Sequence, residues 1–200
     1  MPRSFNENEL ASIRERLRHE GARLFGETGV LKTSVEQLAT SAGIAKGSFY
    51  KFYDTKELLY FELLEDAQNR IRAPLLTGTA RSRGVFEKQL RALFAQICDD
   101  PLVQIMGRET ERIAITNRIP AKRLLAHQTQ DQQFLDALIA RWNMKKSPPK
   151  RDVVAARITL LMMLSLQRDF FGDRLFGPAV DTVISTIGDC LFGVRPAKQV

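Results

Sequence analysis

Apolar residues Leu10, Ile13, Leu17, Leu24 and Phe25 recur at steps of three, four and seven along an otherwise polar stretch, which is the stripe a half-buried helix leaves in a sequence. Asn6 followed three residues on by Glu9 offers a capping-box start, and Gly29 lies just past the end. Thr33 or Ser34 can cap a second helix, with Glu36 and Gln37 respectively three residues further on, and Gly43 keeps that helix short. A third short helix is expected over about 45–52. Asp54 or Thr55 then caps a longer fourth helix that runs to the region before Pro74.

Residues 74–84, with Pro74, Gly78 and Ser82, read as a connection. Beyond it Val85, Leu90, Leu93, Phe94 and Ile97 form the stripe of a fifth helix. Asp99, Asp100 and Pro101 end it and start the next, since proline suits a first helical turn. Pro120 opens another through Leu124, Leu138 and Trp142, which Pro148 and Pro149 break. Arg151–Phe171 is the most apolar helix, and Gly172–Pro178 is expected to turn the chain into a last one, Ala179–Phe192. No alternating strand pattern longer than a few residues competes. The expected fold is all-α with about nine helices, divided into an N-terminal module over 1–54 and a larger helical module over 55–200.

Composition narrows the class. Of 200 residues, 44% are hydrophobic and 26% charged, which is ordinary globular usage and excludes a disordered or fibrous chain. The longest apolar run, Ile158–Leu166, is far short of a bilayer, so the expectation is a soluble, cytoplasmic protein with no membrane partner. Cys98 and Cys190 stand far apart with no ligand-spaced neighbour, which points to two thiols and no metal or other cofactor. Thirty Lys and Arg against 23 Asp and Glu give a net charge of +7, the sign that suits a polyanion. The excess is not concentrated at the N-terminus, where residues 1–60 hold nine basic and eight acidic side chains. The local pattern is more telling, because 37–53 contains Lys46 and Lys51 and no acid. The cations of 141–151 read as a solvated connection.

Residues 35–52 satisfy the steric demands of a helix-turn-helix, in which two helices cross steeply through few contacts. Leu38 and Ala42 face inward from the first helix, Ala39 is small where the second crosses, and Gly43 stands where the turn calls for positive φ. Ile44, Phe49 and Phe52 supply the inner face of the second.

The stretch from Thr33 to Leu59, T-S-V-E-Q-L-A-T-S-A-G-I-A-K-G-S-F-Y-K-F-Y-D-T-K-E-L-L, resembles the DNA-binding signature of the TetR family of transcriptional regulators, of TetR/AcrR type. A preceding A-R-L-F-G-E-T-G, Ala22–Gly29, is similar to the end of that family's first helix. Gly43, Gly47, Tyr50, Phe52, Lys56 and Glu57 fall at family spacing, and the rest of the chain matches only in the number and order of its helices. The resemblance implies a helix-turn-helix DNA-binding domain over 1–54 and a helical effector-binding and dimerisation domain over 55–200, in a homodimer on a palindromic operator of double-stranded DNA, usually a repressor released by a small ligand.

The chemistry of the same residues agrees with that reading. Lys46, Gly47 and Ser48 open the recognition helix, whose amides face phosphate. Lys46 suits guanine O6 or N7, Ser48 and Tyr50 suit phosphate oxygens, and Lys51 suits either. Lys56, in the first turn of the fourth helix, is badly placed against the helix dipole unless an anion is near, which a phosphate would supply. Thr33 and Ser34 reach the backbone, and Tyr53 completes the DNA-binding set. Ala45 stands where the family commonly has Ser or Thr, so the recognition helix lacks a side-chain cap worth about 1 kcal/mol.

For the effector, taken as hydrophobic or aromatic, the candidates are Phe94, Met106, Trp142 and Met163 as lining and Glu109, Arg112, Gln128 and Gln167 as polar anchors. For the dimer seam they are Leu160, Leu164, Phe171, Val183, Ile187 and Leu191. His19 and His127 are isolated and no nucleophile or phosphate-loop motif is present, which argues against an enzyme. The alternative within the same scaffold is a ligand-independent architectural or division-control DNA-binding protein.

Overall fold

The computed structural model describes residues 6–79, 81–146 and 149–194, and within the last helix only the backbone at 168–171 and 173. The described residues form ten helices and no strand: α1 (Glu7–Thr28), α2 (Val35–Ser41), α3 (Lys46–Phe49), α4 (Lys56–Leu76), α5 (Arg83–Asp99), α6 (Pro101–Ile105), α7 (Glu109–Thr116), α8 (Ala121–Trp142), α9 (Arg151–Ser165) and α10 (Arg168–Phe192). The fold is all-α, with one helix more than the pattern suggests. After Ile105 the backbone tightens into i to i−3 bonds, Met106 to Val103, Gly107 to Gln104 and Arg108 to Ile105, which end α6 and make α7 separate.

Three boundaries differ from expectation for local reasons. α4 continues through Pro74 to Leu76, because a proline in a last turn removes a single N–H. Leu75 is buried there, and its carbonyl accepts the indole N–H of Trp142 at 2.6 Å. α9 closes at Ser165 rather than near Phe171, with Leu166 as its C-cap. The segment expected to turn, Gly172–Pro178, lies inside α10, which is kinked at Gly172 (φ +63°, ψ 159°) and carries Pro178 within it.

The chain packs into two units, Met1–Gln68 with Pro101–Arg123, and Asn69–Asp100 with Leu124–Val200. This division by packing differs from a functional boundary at 54/55, and it adds α6 and α7 to the N-terminal helices. The chain crosses between the units at 68/69, 100/101 and 123/124.

In the first unit α1 packs on α2 and on α6, and α2 on α3. Its core runs through Ile13, Leu17, Phe25, Leu38, Phe49 and Tyr60, all buried. Tyr60 meets Phe25 edge-on at 5.9 Å and donates its hydroxyl to the Leu102 carbonyl at 2.7 Å, tying α6 to α4. Arg123 and the buried Glu65 form an ion pair that closes the segment.

In the second unit α5, α9 and α10 pack on one another. Phe86, Trp142 and Phe192 form an aromatic cluster, with ring centres 5.2 to 6.4 Å apart. Arg83 of α5 reaches Asp189 at 2.7 Å and the carbonyls of Gly193 and Ser185, and also pairs with Glu87. Within α10, Arg174–Phe192 is long and apolar enough to cross a membrane, which a search for unbroken apolar runs misses. In the chain this segment buries Ile184, Ile187 and Leu191, and its Asp181 and Asp189 pair with Arg91 and Arg83, as a core helix of a folded unit does.

Candidate nucleic-acid interface

The helix-turn-helix starts at Ser34, whose hydroxyl accepts the Gln37 N–H at 3.1 Å while the Gln37 side chain accepts the Ser34 N–H at 2.7 Å. This reciprocal box decides between the two caps the sequence allows. α2 buries Leu38 and Ala39 and ends at the buried Ala42. Gly43 follows at φ +70°, a conformation that would strain a side chain, and Ile44 N–H returns to the Ala39 carbonyl at 2.9 Å. Arg16 of α1 donates to the Ala42 carbonyl at 2.8 Å and so holds the turn from behind. That contact joins residues 26 apart, and no local pattern announces it.

α3 is one helical turn, Lys46–Phe49, and Ala45 gives it no side-chain cap. Its inner anchor is Phe49, fully buried and in contact with the rings of Tyr50 and Tyr53 at 5.6 and 6.0 Å. Ile44 and Phe52 are half-buried, so they flank this face and Phe49 centres it. Outward stand Lys46, Gly47, Tyr50 and Lys51, all exposed, with Ser48 half-exposed beside them. Tyr50 is an aromatic residue 51% exposed. Lys46 lies 3.9 Å from Glu36 of α2, an acid one residue outside the acid-free window of the sequence. Gly47 is open: apart from its chain neighbours and the backbone of its own helix, no described atom lies within 4 Å of the place a Cβ would occupy.

Three members of the expected DNA-binding set are turned inward or otherwise engaged. Thr33 is buried, and its hydroxyl bonds the Gly29 carbonyl at 2.7 Å and the Thr28 hydroxyl at 3.0 Å, so it faces no phosphate. Tyr53 is buried, its hydroxyl donating to Glu62 at 3.2 Å and its ring lying under the Arg14 guanidinium. Lys56 donates to the carbonyls of Thr33 at 2.6 Å and Leu31 at 3.2 Å, so backbone oxygens offset the unfavourable helix dipole without an external anion. Thr55, not Asp54, caps α4 through the Leu58 N–H.

The proposed effector residues are divided between the units. Met106, Glu109 and Arg112 belong to the first, where Glu109 and Arg112 are exposed. Phe94, Gln128, Trp142, Met163 and Gln167 belong to the second. There Trp142 is committed to the core, Phe94 is buried against Phe176 at 5.6 Å, and Gln128, Met163 and Gln167 are exposed. The dimer candidates divide too. Val183, Ile187, Leu191 and Leu164 are buried within the single chain, because α9 and α10 consume these faces against α5 and each other. Leu160 is half-exposed, and Phe171 lies outside the described side chains. Of the basic stretch near 141–151, Arg151 pairs with Asp136 and Arg141 bonds the carbonyls of Thr77 and Gly78.

Two short helices packed on each other across the Gly43 turn, with a cationic, hydroxyl-bearing outer face, define a helix-turn-helix. Residues 17–63 match the family described as bacterial regulatory proteins, tetR family, so this N-terminal segment carries the DNA-binding domain of that family. It is 39% identical over 59 residues to the HTH-type transcriptional repressor KstR2 of Mycolicibacterium smegmatis, covering 30% of this chain and 29% of that one. It is 25% identical over 129 residues to the HTH-type transcriptional regulator YuxN of Bacillus subtilis, covering 63% and 44%. The chain thus spans less than half the length of the curated relatives it matches. Among solved structures it is similar in fold to RolR in complex with resorcinol, with a TM-score of 0.61, 19% identity, and 96% and 93% of the two chains covered.

Burial, followed by the neighbouring Glu62 carboxylate, pushes the Tyr53 phenol up to about 12. The unfolded chain therefore releases this proton near pH 10 while the folded chain keeps it, so stability is undiminished by this group below pH 10 and falls as pH rises from about 10 to about 12. Spectrophotometric titration should show a tyrosine component ionising near pH 12 that Tyr53→Phe diminishes.

Proposed function

We propose that this chain is a sequence-specific transcriptional repressor of the bacterial cytoplasm that binds a palindromic operator as a dimer and releases it when a small molecule binds. The observation that carries the DNA-binding part is the outer face of α3. Gly47 is bare although the fold would accommodate a side chain there, and its neighbours Lys46, Tyr50 and Lys51 are exposed. A residue kept small with no internal reason suits the close approach of something external, and the surrounding cations and hydroxyls suit a phosphate backbone. Lys46 reads a guanine edge, Ser48 and Tyr50 hold phosphates, and Lys51 serves either role. Ser34 uses its oxygen as a helix cap and keeps its hydroxyl proton for a phosphate. Lys56 has a third ammonium proton beyond the two that pin the loop.

Two recognition helices must enter successive major grooves about 34 Å apart, which a dimer provides. The face that supports a dimer is a stripe on α9, with Val153, Leu160 and Met163 all exposed at helical spacing. The effector is taken as a hydrophobic or aromatic molecule held by the helices after α3, a choice supported by the resorcinol complex of the similar fold.

Gly47→Ala should leave the fold intact, or stabilise it by up to about 1 kcal/mol, since alanine is the better helix former. Operator affinity measured by fluorescence anisotropy should fall by about ten-fold or more, whereas Lys46→Ala should relax preference at one base pair per half-site, worth about 1–3 kcal/mol. Operator binding by Gly47→Ala equal to wild type would remove the central support for this interface. In sedimentation at micromolar concentration the wild-type chain should be a dimer and Leu160→Asp a monomer; a monomeric wild type refutes the dimer. For release, small aromatic compounds, resorcinol among them, would be screened by thermal stabilisation and the best binder titrated into the operator complex. It should weaken DNA binding by about 1–3 kcal/mol and be weakened by DNA equally. A tight binder that leaves operator affinity unchanged rules out the switch.

A further inference from the structure

We propose that Glu111, on α7 and outside the helix-turn-helix motif, is a positioning residue for operator binding: its buried carboxylate clasps the loop between α1 and α2 and fixes where α2 begins. The proposal rests on the reading that α2 and α3 meet DNA. Glu111 is only 6% exposed, although a carboxylate is among the costliest groups to bury. Its Oε2 accepts the Leu31 N–H at 3.0 Å, across 80 residues of sequence. Its Oε1 fills the space in front of Gly29, where a Cβ would collide with it, and Gly29 itself adopts φ +85°. The backbone of this loop is therefore shaped around the carboxylate.

Other bonds complete the hold from the opposite side. Lys56 Nζ donates to the Leu31 and Thr33 carbonyls, the Thr33 hydroxyl donates to the Gly29 carbonyl, and the Gly29 N–H bonds back to Phe25. Leu31 is thus gripped through its N–H by α7 and through its carbonyl by α4. Three residues later Ser34 caps α2, and α2 carries α3 through Leu38, Ala39 and the Gly43 turn. An apolar side chain at position 111 would fill the same space without desolvating a charge. The carboxylate adds an acceptor that sets the loop in one place. Glu109, two residues earlier on the other face of α7, is exposed and takes no part in this.

The test uses the full chain with Glu111→Ala, Glu111→Asp and Glu111→Gln, reading operator affinity by anisotropy and exchange of the Leu31 amide by NMR. Aspartate keeps the charge but withdraws it by one methylene; glutamine keeps an acceptor oxygen at full reach. Alanine and aspartate variants should exchange the Leu31 amide faster and bind operator about ten-fold more weakly, the size of one lost charge-assisted hydrogen bond. The glutamine variant should recover most of both, and the salt dependence of binding should stay as in wild type because Glu111 touches no phosphate. Should the alanine variant fail to fold, the aspartate and glutamine pair carries the comparison. Leu31 exchange unchanged in the aspartate variant, or faster exchange with operator affinity unmoved, would overturn this proposal alone. A wild-type chain that binds no selected duplex would overturn it together with the reading it rests on.

Discussion

The constraint on which the first unit depends is the brevity of α3, since four residues with no side-chain cap cannot sustain a helix in water and must be held by what surrounds them. Phe49 supplies that hold by burying one whole ring beneath the turn. The turn is in turn fixed by Gly43 and by the Arg16 bond to the Ala42 carbonyl. With its inner side so committed, the segment leaves Lys46, Gly47, Tyr50 and Lys51 at the surface.

The same constraint explains the density of polar ties between α1 and α4. Arg14 and Arg18 both pair with Glu62, and Arg18 also with Asp66. Hydrogen bonds to these carboxylates hold both guanidiniums in their charged form. Glu62 then accepts the Tyr53 hydroxyl, so the residue that ends the helix-turn-helix is fastened to the two longest helices of the unit. Exposed pairs of this kind are worth little one at a time; a network that fixes a buried phenol has more to contribute to position than to stability.

Much of this was legible in the sequence, and the parts that were not share a cause. Periodicity locates nine of the ten helices, and local chemistry gives the Asn6 cap and the Gly43 turn, because each of these depends on residues within one or two turns. Fates set by distant partners escaped. Thr33, Tyr53 and Lys56 look like surface contacts until Gly29, Glu62 and the Leu31 carbonyl are brought beside them. Ile187 and Leu191 show an apolar stripe whether they meet a second copy or helices of the same chain, and they are buried within the chain, where α10 packs on α9 and α5. Glu111 gives no signal at all, since an acid in a first helical turn is commonplace and its burial arises only from the loop 80 residues away.

Glycines 43 and 47 show why residue type alone does not assign a role. At Gly43 the backbone stands at φ +70°, so the requirement is internal and any side chain would strain the turn whether or not a partner were present. At Gly47 the backbone is helical and the surroundings are open, so nothing within the chain forbids a side chain, and alanine would suit the helix better. A helix already marginal for want of a cap is weakened further by this glycine. The weakness is offset by the burial of Phe49 beneath it, so the helix is held by its inner anchor and not by its own propensity.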